Sequence, residues 1–332
     1  MIKEDDYQKY YEIKEKIGRG GFANVYRGIN IKTDEERAIK VIDIDIYKEE
    51  HMKVIYNEIN NMKICSENNE NSVKIYECYR YKDNLRNEFV IIMELCDNNL
   101  QKILDEKNEG FTCEQIKEIM TQLNHTFRIM YNNKIIHRDI KLDNIVVKTN
   151  KDDSNIFIPK LTDYGISKQL KNTMGKTNIG TYLTMAPEIM EGKFYDYKCD
   201  LWSIGIIIYQ LYFKEYPYTG ETQIAINNMI KRKGNKLLKK TNNNNLDNLI
   251  NKLLTIEPEK RISYQEYFNH PFFNSNNDNR DDSKEFSKKG ENMFIVDFTL
   301  ENLEKALNEY MYSDEPGAIK ALAEDIYKNL NK

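Results

Sequence analysis

No stretch of this 332-residue chain is apolar for long enough to cross a bilayer. The longest, Leu201 to Phe213, is shorter than the ~20 residues a span needs, and Ser203, Gly205 and Gln210 interrupt it, so it reads as a buried core helix. A secretory signal is missing as well. Met1-Ile2-Lys3-Glu4-Asp5-Asp6 contains no apolar run, and Ile2 stands where myristoylation requires glycine. The five cysteines (Cys65, Cys78, Cys96, Cys113 and Cys199) are an odd number without a CxxC pair. That argues against a disulfide framework and a zinc site and suits a reducing compartment. Positive charge is not in surplus either: 49 Lys and Arg against 53 Asp and Glu give a net charge of -4. The chain therefore has no long-range attraction for nucleic acid or an anionic membrane, and any polyanion must be met by particular side chains. Together these absences point to an intracellular protein, cytoplasmic rather than nuclear.

What is present is ample apolar material, 40% of residues, and at roughly 150 residues per domain the length suits two domains or lobes. The chain is organised around His137-Arg138-Asp139-Ile140-Lys141-Leu142-Asp143-Asn144, followed by the apolar run Ile145-Val146-Val147, which reads as a buried strand. Backbone held against a strand is rigid enough to aim side chains. Asp139 offers a carboxylate to accept or orient a hydroxyl proton, Lys141 an ammonium for a phosphoryl oxygen, and Asn144 a carbonyl oxygen suited to a hard cation such as Mg²⁺. That combination equips a site for phosphoryl transfer.

Upstream, Tyr10 to Ile44 reads as strands around Gly18-Arg19-Gly20-Gly21-Phe22, with a turn at Lys32-Thr33-Asp34. Glycines between strands let backbone N–H groups approach a phosphate closely. Lys40, flanked by Ala38, Ile39, Val41 and Ile42, sits in an otherwise apolar strand and needs an anionic partner. Glu58 is a candidate, because Ile55, Ile59 and Met62 mark a helix over Glu49 to Cys65 whose inner edge it shares. Val73 to Tyr76 and Phe89 to Met93 read as two more strands, giving five strands and one helix in a small β-rich lobe. Phe111 to Asn132 reads as a helix capped by Thr112. Phe157 to Leu161 pairs as a hairpin with the strand after Asn144, which sets Asp163 beside Asn144 as a second oxygen ligand for Mg²⁺. Ser167 to Ile179 is a polar loop with hydroxyls at Ser167, Thr173 and Thr177. Asp200 stands at the N-terminal end of the apolar helix, and short helices follow around Asp247 to Leu254 and Glu259 to Phe273 in a larger helical lobe.

The motifs fall in one order: Gly18-x-Gly20 with Val25, Lys40, Glu58, His137-Arg138-Asp139, Asn144, Asp163-Tyr164-Gly165, Ala186-Pro187-Glu188, Asp200-x-Trp202 and Arg261. Over residues 11–273 the chain resembles the eukaryotic protein kinase family, and Lys141 with Thr181 resembles its serine/threonine branch. The resemblance implies an α+β fold of two lobes: an N-lobe at 11–94, a hinge at about 94–100 and a C-lobe at 101–273. It implies ATP and Mg²⁺ as cofactors and phosphorylation of Ser or Thr in a protein substrate. Asp139 would be the catalytic base, with Lys40, Glu58 and Lys141 as its catalytic partners. Asn144 and Asp163 would bind metal. Ile17, Gly18, Gly20, Val25, Ala38, Lys40, Met93, Glu94, Cys96 and Val146 would line the nucleotide pocket. Met93 would guard its back, and backbone groups of Glu94 and Cys96 would read the adenine edge. Glu188 and Arg261 resemble the family's buried structural ion pair. The alternative, a kinase-like scaffold or pseudokinase acting only by binding, predicts loss of Lys40, Asp139 or Asp163, and all three are present. Three departures stand out: Ala23 for the last loop glycine, Tyr164 for the usual phenylalanine, and Tyr182 with Thr184 in the substrate loop. The hydroxyl of Tyr164 must find a partner if buried.

Arg138, next to Asp139, is suited to bind a phosphate, so Thr173 and Thr177 are candidate phosphosites for an upstream kinase. Residues 274–290 are Asn, Asp, Ser and Lys with almost no apolar residue and read as a linker. Residues 291–332 carry two amphipathic helical patterns, Leu300, Leu303, Leu307 and Tyr310, then Ile319, Leu322, Ile326 and Leu330. Such a pair must bury its faces on the preceding lobe, in the substrate groove or on a partner.

Overall fold

The computed structural model describes residues 2–19, 23–44, 52–83, 86–149, 157–164, 182–234 and 239–273. All of them lie in one compact unit, Met1–Ser275. Its N-terminal part is a sheet with the strand order β1-β5-β6-β4-β3-β2. The strands are β1 (Ile2–Lys3), β2 (Tyr11–Arg19), β3 (Ala23–Asn30), β4 (Glu36–Asp43), β5 (Ile75–Lys82) and β6 (Asn87–Met93), and helix α1 (Met52–Ser66) lies between β4 and β5 in the chain.

Alternation along the central strand β4 divides the side chains between two cores. Ala38 and Ile42 face a core shared with Ile55, Ile59, Met62 and Cys65 of α1 and with Phe89, Ile91 and Met93 of β6. Ile39 points the other way, into a second cluster with Tyr7, Tyr11, Tyr79, Val90 and Ile92. Each aliphatic side chain so buried contributes about 1.5–3 kcal/mol. Two differences from expectation lie at the N-terminal end. A short 3₁₀ turn, Tyr7–Lys9, lays Tyr7 on the sheet. Ahead of it, β1 pairs in parallel with β5, matching Ile2 to Cys78 and Lys3 to Tyr79, so the sheet has six strands rather than five. β5 also starts two residues later and ends six later than its apolar signal, since Val73 precedes it and Cys78 and Tyr79 are its buried centre.

The chain leads from Met93 through β7 (Asn98–Asn99), which pairs with β8 (Ile145–Thr149), itself paired with β9 (Phe157–Leu161). Helix α2 (Leu100–Glu106) follows β7, and Asn99 caps it by accepting from the Lys102 amide. Helix α3 (Cys113–Asn132) starts at a capping box between Thr112 and Gln115 and buries Ile116, Met120, Leu123 and Phe127. Farther on come α4 (Pro187–Met190), α5 (Lys198–Phe213), α6 (Gln223–Lys233), α7 (Asn244–Leu253) and α8 (Tyr264–Phe268). Every residue from Cys199 to Leu211 is buried, as expected of a helix apolar on all sides. Gly205 lets α7 close on it: a Cβ there would come within 2.8 Å of the Leu253 Cβ. Among the described residues, no helix is long and apolar enough to cross a membrane. The linker, the C-terminal patterns, Gly20, Thr181 and the loop with Thr173 and Thr177 lie outside the described residues.

Candidate active site

The stretch from His137 to Asn144 is fixed from below by apolar anchors: Ile140, Leu142 and Ile145 are fully buried. Between them the chain carries its polar groups upward. Its entry is strained, since Arg138 has a φ of +68°, a left-handed conformation that L side chains avoid. Asp200, in the first turn of α5, holds it there. Its carboxylate accepts the His137 amide at 2.7 Å and the Arg138 amide at 2.8 Å. Asp200 thus does more than complement its helix dipole: it ties the loop to the most buried helix of the C-terminal part. The His137 ring is buried, and its Nε2 donates to the Thr162 carbonyl at 3.0 Å. Burial holds its pKa below the ordinary histidine value.

The short 3₁₀ turn Leu142–Asn144 then returns Asn144 to Asp139, with Nδ2 donating to the Asp139 carbonyl at 2.8 Å and to Oδ2 at 3.0 Å. Lys141 Nζ lies 3.0 Å from the same Oδ2. Burial disfavours the Lys141 ammonium, but Asp139 outweighs it and raises the pKa. Asp139 Oδ1, in contrast, is buried with no hydrogen-bond partner among the described residues.

Asp163 arrives from β9, and the Thr162 amide donates to the Asn144 carbonyl at 3.0 Å, which sets the two proposed oxygen donors on adjoining backbone. Asp163 itself has a φ of +59°. Lys40 Nζ donates to its Oδ1 at 2.6 Å, whereas Glu58 stands 3.9 Å away. Glu58 therefore pairs with Lys40 as expected, and Asp163 is a second, nearer carboxylate. Burial works against the charge on Lys40, but Asp163 and Glu58 more than offset it and raise its pKa. Burial likewise pushes the Asp163 carboxyl up, and Lys40 brings it below the usual range.

The strand register brings the expected pocket residues into line. Gly18 pairs with Val25, and Val25 with Lys40, so a single transverse row crosses three strands. Ala38 pairs with Met93 two residues along, on the same face of β4 as Lys40. Ile17 is 44% exposed beside this row, and Val146 lies on β8 opposite Asn99. After β6 the Glu94 amide is taken by the Lys74 carbonyl and the Asp97 amide by the Val147 carbonyl, which fixes the chain on either side of Cys96. Burial pushes the Cys96 thiol up to about 12, so it is a packing residue rather than a nucleophile. Sequence reasoning missed Lys160. Buried on β9, it reaches Glu94 at 3.2 Å and the Glu70 carbonyl at 2.7 Å. A separate cavity of 520 Å³, lined by Glu109, Thr112, Cys113, Tyr212 and Asn242 among others, shares no residue with this cluster.

Two lysines, two acids and an amide converge below a glycine-bearing strand pair, and residues 11–273 match the model of the protein kinase domain. The chain belongs to the protein kinase family. The kinase domain is 34% identical over 269 residues to the serine/threonine-protein kinase atg1 of Dictyostelium discoideum, covering 80% of this chain and 40% of that protein. It is 34% identical over 236 residues to calcium-dependent protein kinase 5 of Plasmodium berghei (strain Anka), covering 70% of this chain and 40% of the relative. A putative serine/threonine-protein kinase R517/R518 of Acanthamoeba polyphaga mimivirus is 30% identical over 285 residues, at 77% and 61% coverage. The chain thus spans 40% of the length of the first two relatives. Within the kinase domain Glu188 and Arg261 form the expected buried pair, bidentate at 2.7 and 2.9 Å.

Proposed function

We propose that this chain transfers the γ-phosphoryl group of ATP to a serine or threonine hydroxyl of a protein substrate. The observation that carries the reading is the asymmetry of the Asp139 carboxylate. Lys141 and Asn144 hold Oδ2, while Oδ1 is a buried acceptor without a hydrogen-bond partner among the described residues. An acceptor so placed is suited to orient a substrate hydroxyl and take its proton.

The donor set fits Mg²⁺. Asn144 commits its Nδ2 to Asp139, leaving its carbonyl oxygen as the available end, and Asp163 adds a carboxylate kept ionised by Lys40. Bound there, Mg²⁺ would supply charge neutralisation for the phosphates. Lys40 would bind nucleotide phosphate, exchanging part of its hold on Asp163 for it, and Glu58 would keep the ammonium in place. Lys141 would steady the transferred oxygen. Met93, Ala38, Val25, Val146 and Ile17 would enclose the base, with backbone groups of Glu94 and Cys96 along its edge. Residues 11–273 would work as two lobes joined at 94–100. Phosphate on Thr173 or Thr177, placed by an upstream kinase, would meet Arg138. Free thiols at Cys65, Cys78, Cys96, Cys113 and Cys199 support a cytoplasmic setting.

The test is phosphate transfer from radiolabelled ATP with Mg²⁺ to a mixed Ser/Thr peptide library. Asp139→Asn is expected to cut kcat by about 10²–10⁴-fold with the melting temperature little changed. A variant within twofold of the wild type would remove Asp139 from the chemistry.

A further inference from the structure

Tyr164 stands where the resemblance leads one to expect phenylalanine, and its extra hydroxyl is buried. The ring is 4% exposed and packs on His137 with centroids 4.9 Å apart. Its hydroxyl lies 2.8 Å from Ser72 Oγ. Ser72 is 1% exposed and Tyr164 4%, so neither hydroxyl can turn to solvent instead.

The location of Ser72 gives the contact its meaning. Residues 71–73 run along the end of β9: the Leu161 amide donates to the Asn71 carbonyl at 2.9 Å, and the Val73 amide donates to the Leu161 carbonyl at 3.0 Å. One segment therefore grips the chain twice, by backbone at Leu161 and by side chain at Tyr164. Only Thr162 and Asp163 lie between the two grips. Asp163 is the residue with a φ of +59°, a conformation that persists only where surrounding structure imposes it.

We infer that the Tyr164 hydroxyl, bonded to Ser72, is a positioning latch that holds Asp163 in its left-handed conformation for phosphate transfer. The inference rests on the kinase reading above. Tyr164 acts through Asp163. A phenylalanine would fill the same space and pack on His137 as well, but would leave the two grips as one and Ser72 without its partner.

Three variants of the full chain separate positioning from packing. Tyr164→Phe and Ser72→Ala each orphan a buried hydroxyl, whereas the double variant removes both hydroxyls and leaves none stranded. Melting temperature is therefore expected to drop in each single variant and to recover in the double. Amide hydrogen exchange at Asp163 and Tyr164, which needs no catalysis, is expected to be about tenfold faster in all three. With peptide substrate, kcat is expected to fall about three- to tenfold in all three with KM for the peptide unchanged. Recovery of slow exchange in the double variant along with its melting temperature would overturn the latch and leave a packing contact. A wild type that transfers no phosphate would instead sink the kinase reading, while the exchange rates would still decide whether Tyr164 holds Asp163.

Discussion

Asp200→Asn isolates one interaction by an isosteric change. The carboxylate, 1% exposed, accepts two backbone amides at 2.7 and 2.8 Å. Hydrogen bonds to a charged acceptor contribute about 1.5–3 kcal/mol each, and a neutral one about 0.5–1.5. An asparagine can keep one of the two as a neutral bond; its NH₂ must face the other amide, donor against donor. Relief from burying a charge offsets part of the loss, so the net cost is roughly 2–4 kcal/mol. Against a total stability on the order of 5–15 kcal/mol that is large, and it corresponds to a melting point lower by roughly 4–16 °C for a domain of this size. The left-handed turn at Arg138 also loses its restraint, so Asp139, the next residue, shifts and kcat falls with it. Urea unfolding followed by circular dichroism reads the first effect and peptide phosphorylation the second. Stability within about 0.5 kcal/mol of the wild type, a routine surface-substitution value, would refute the reasoning.

Arg261→Met strips a buried carboxylate of its bidentate partner and frees the carbonyls of Thr255 and Lys198 that the guanidinium also satisfies. The expected loss is about 3–5 kcal/mol, read by the same urea titration, and a loss under 1 kcal/mol would count against the pair. His137 and His270 are both held below the ordinary histidine pKa, chiefly by burial. His270 Nδ1 accepts the Phe272 amide at 3.3 Å, which protonation would break. Both stay neutral when folded and protonate in the unfolded chain below about pH 6.5. The unfolded state then binds more protons, and stability declines as pH falls, by up to about 1.4 kcal/mol per pH unit for each histidine. Melting curves from pH 7.5 to 5 should show this, with a shallower decline in His270→Gln; a flat profile would contradict it.

The convergence of the candidate site was legible because its members are short-range in sequence or sit at strand ends. Asp139, Lys141 and Asn144 share one loop, and a hairpin brings in Asp163. Contacts decided by the packing of distant elements were not legible. That Asp163 comes closer to Lys40 than Glu58 does depends on where α1 settles relative to β9, and no periodicity records that. The same holds for Asp200, whose sequence position suggests a helix dipole and whose actual ligands lie 62 and 63 residues earlier. β1 is too short to show alternation, and α2 is a seven-residue helix whose cap, Asn99, sits in a polar hinge. The Tyr164 hydroxyl announced its need for a partner, but Ser72 carried no mark that it would be the one.

The β1 pairing bears on how this protein avoids sticking to its own copies. A sheet end offers unsatisfied amides and carbonyls to any passing strand. At one end, β2 deters such pairing with Glu12, Lys14, Glu15 and Lys16 and with irregular register around Lys16. β5 is ill suited to that defence, since Cys78 and Tyr79 at its centre are buried in the two cores. β1 covers those same two residues, and the Lys3–Glu77 ion pair fastens it there. A chain trimmed to the residues that match the kinase model would keep its catalytic groups and lose this cover, gaining a tendency to self-associate through β5.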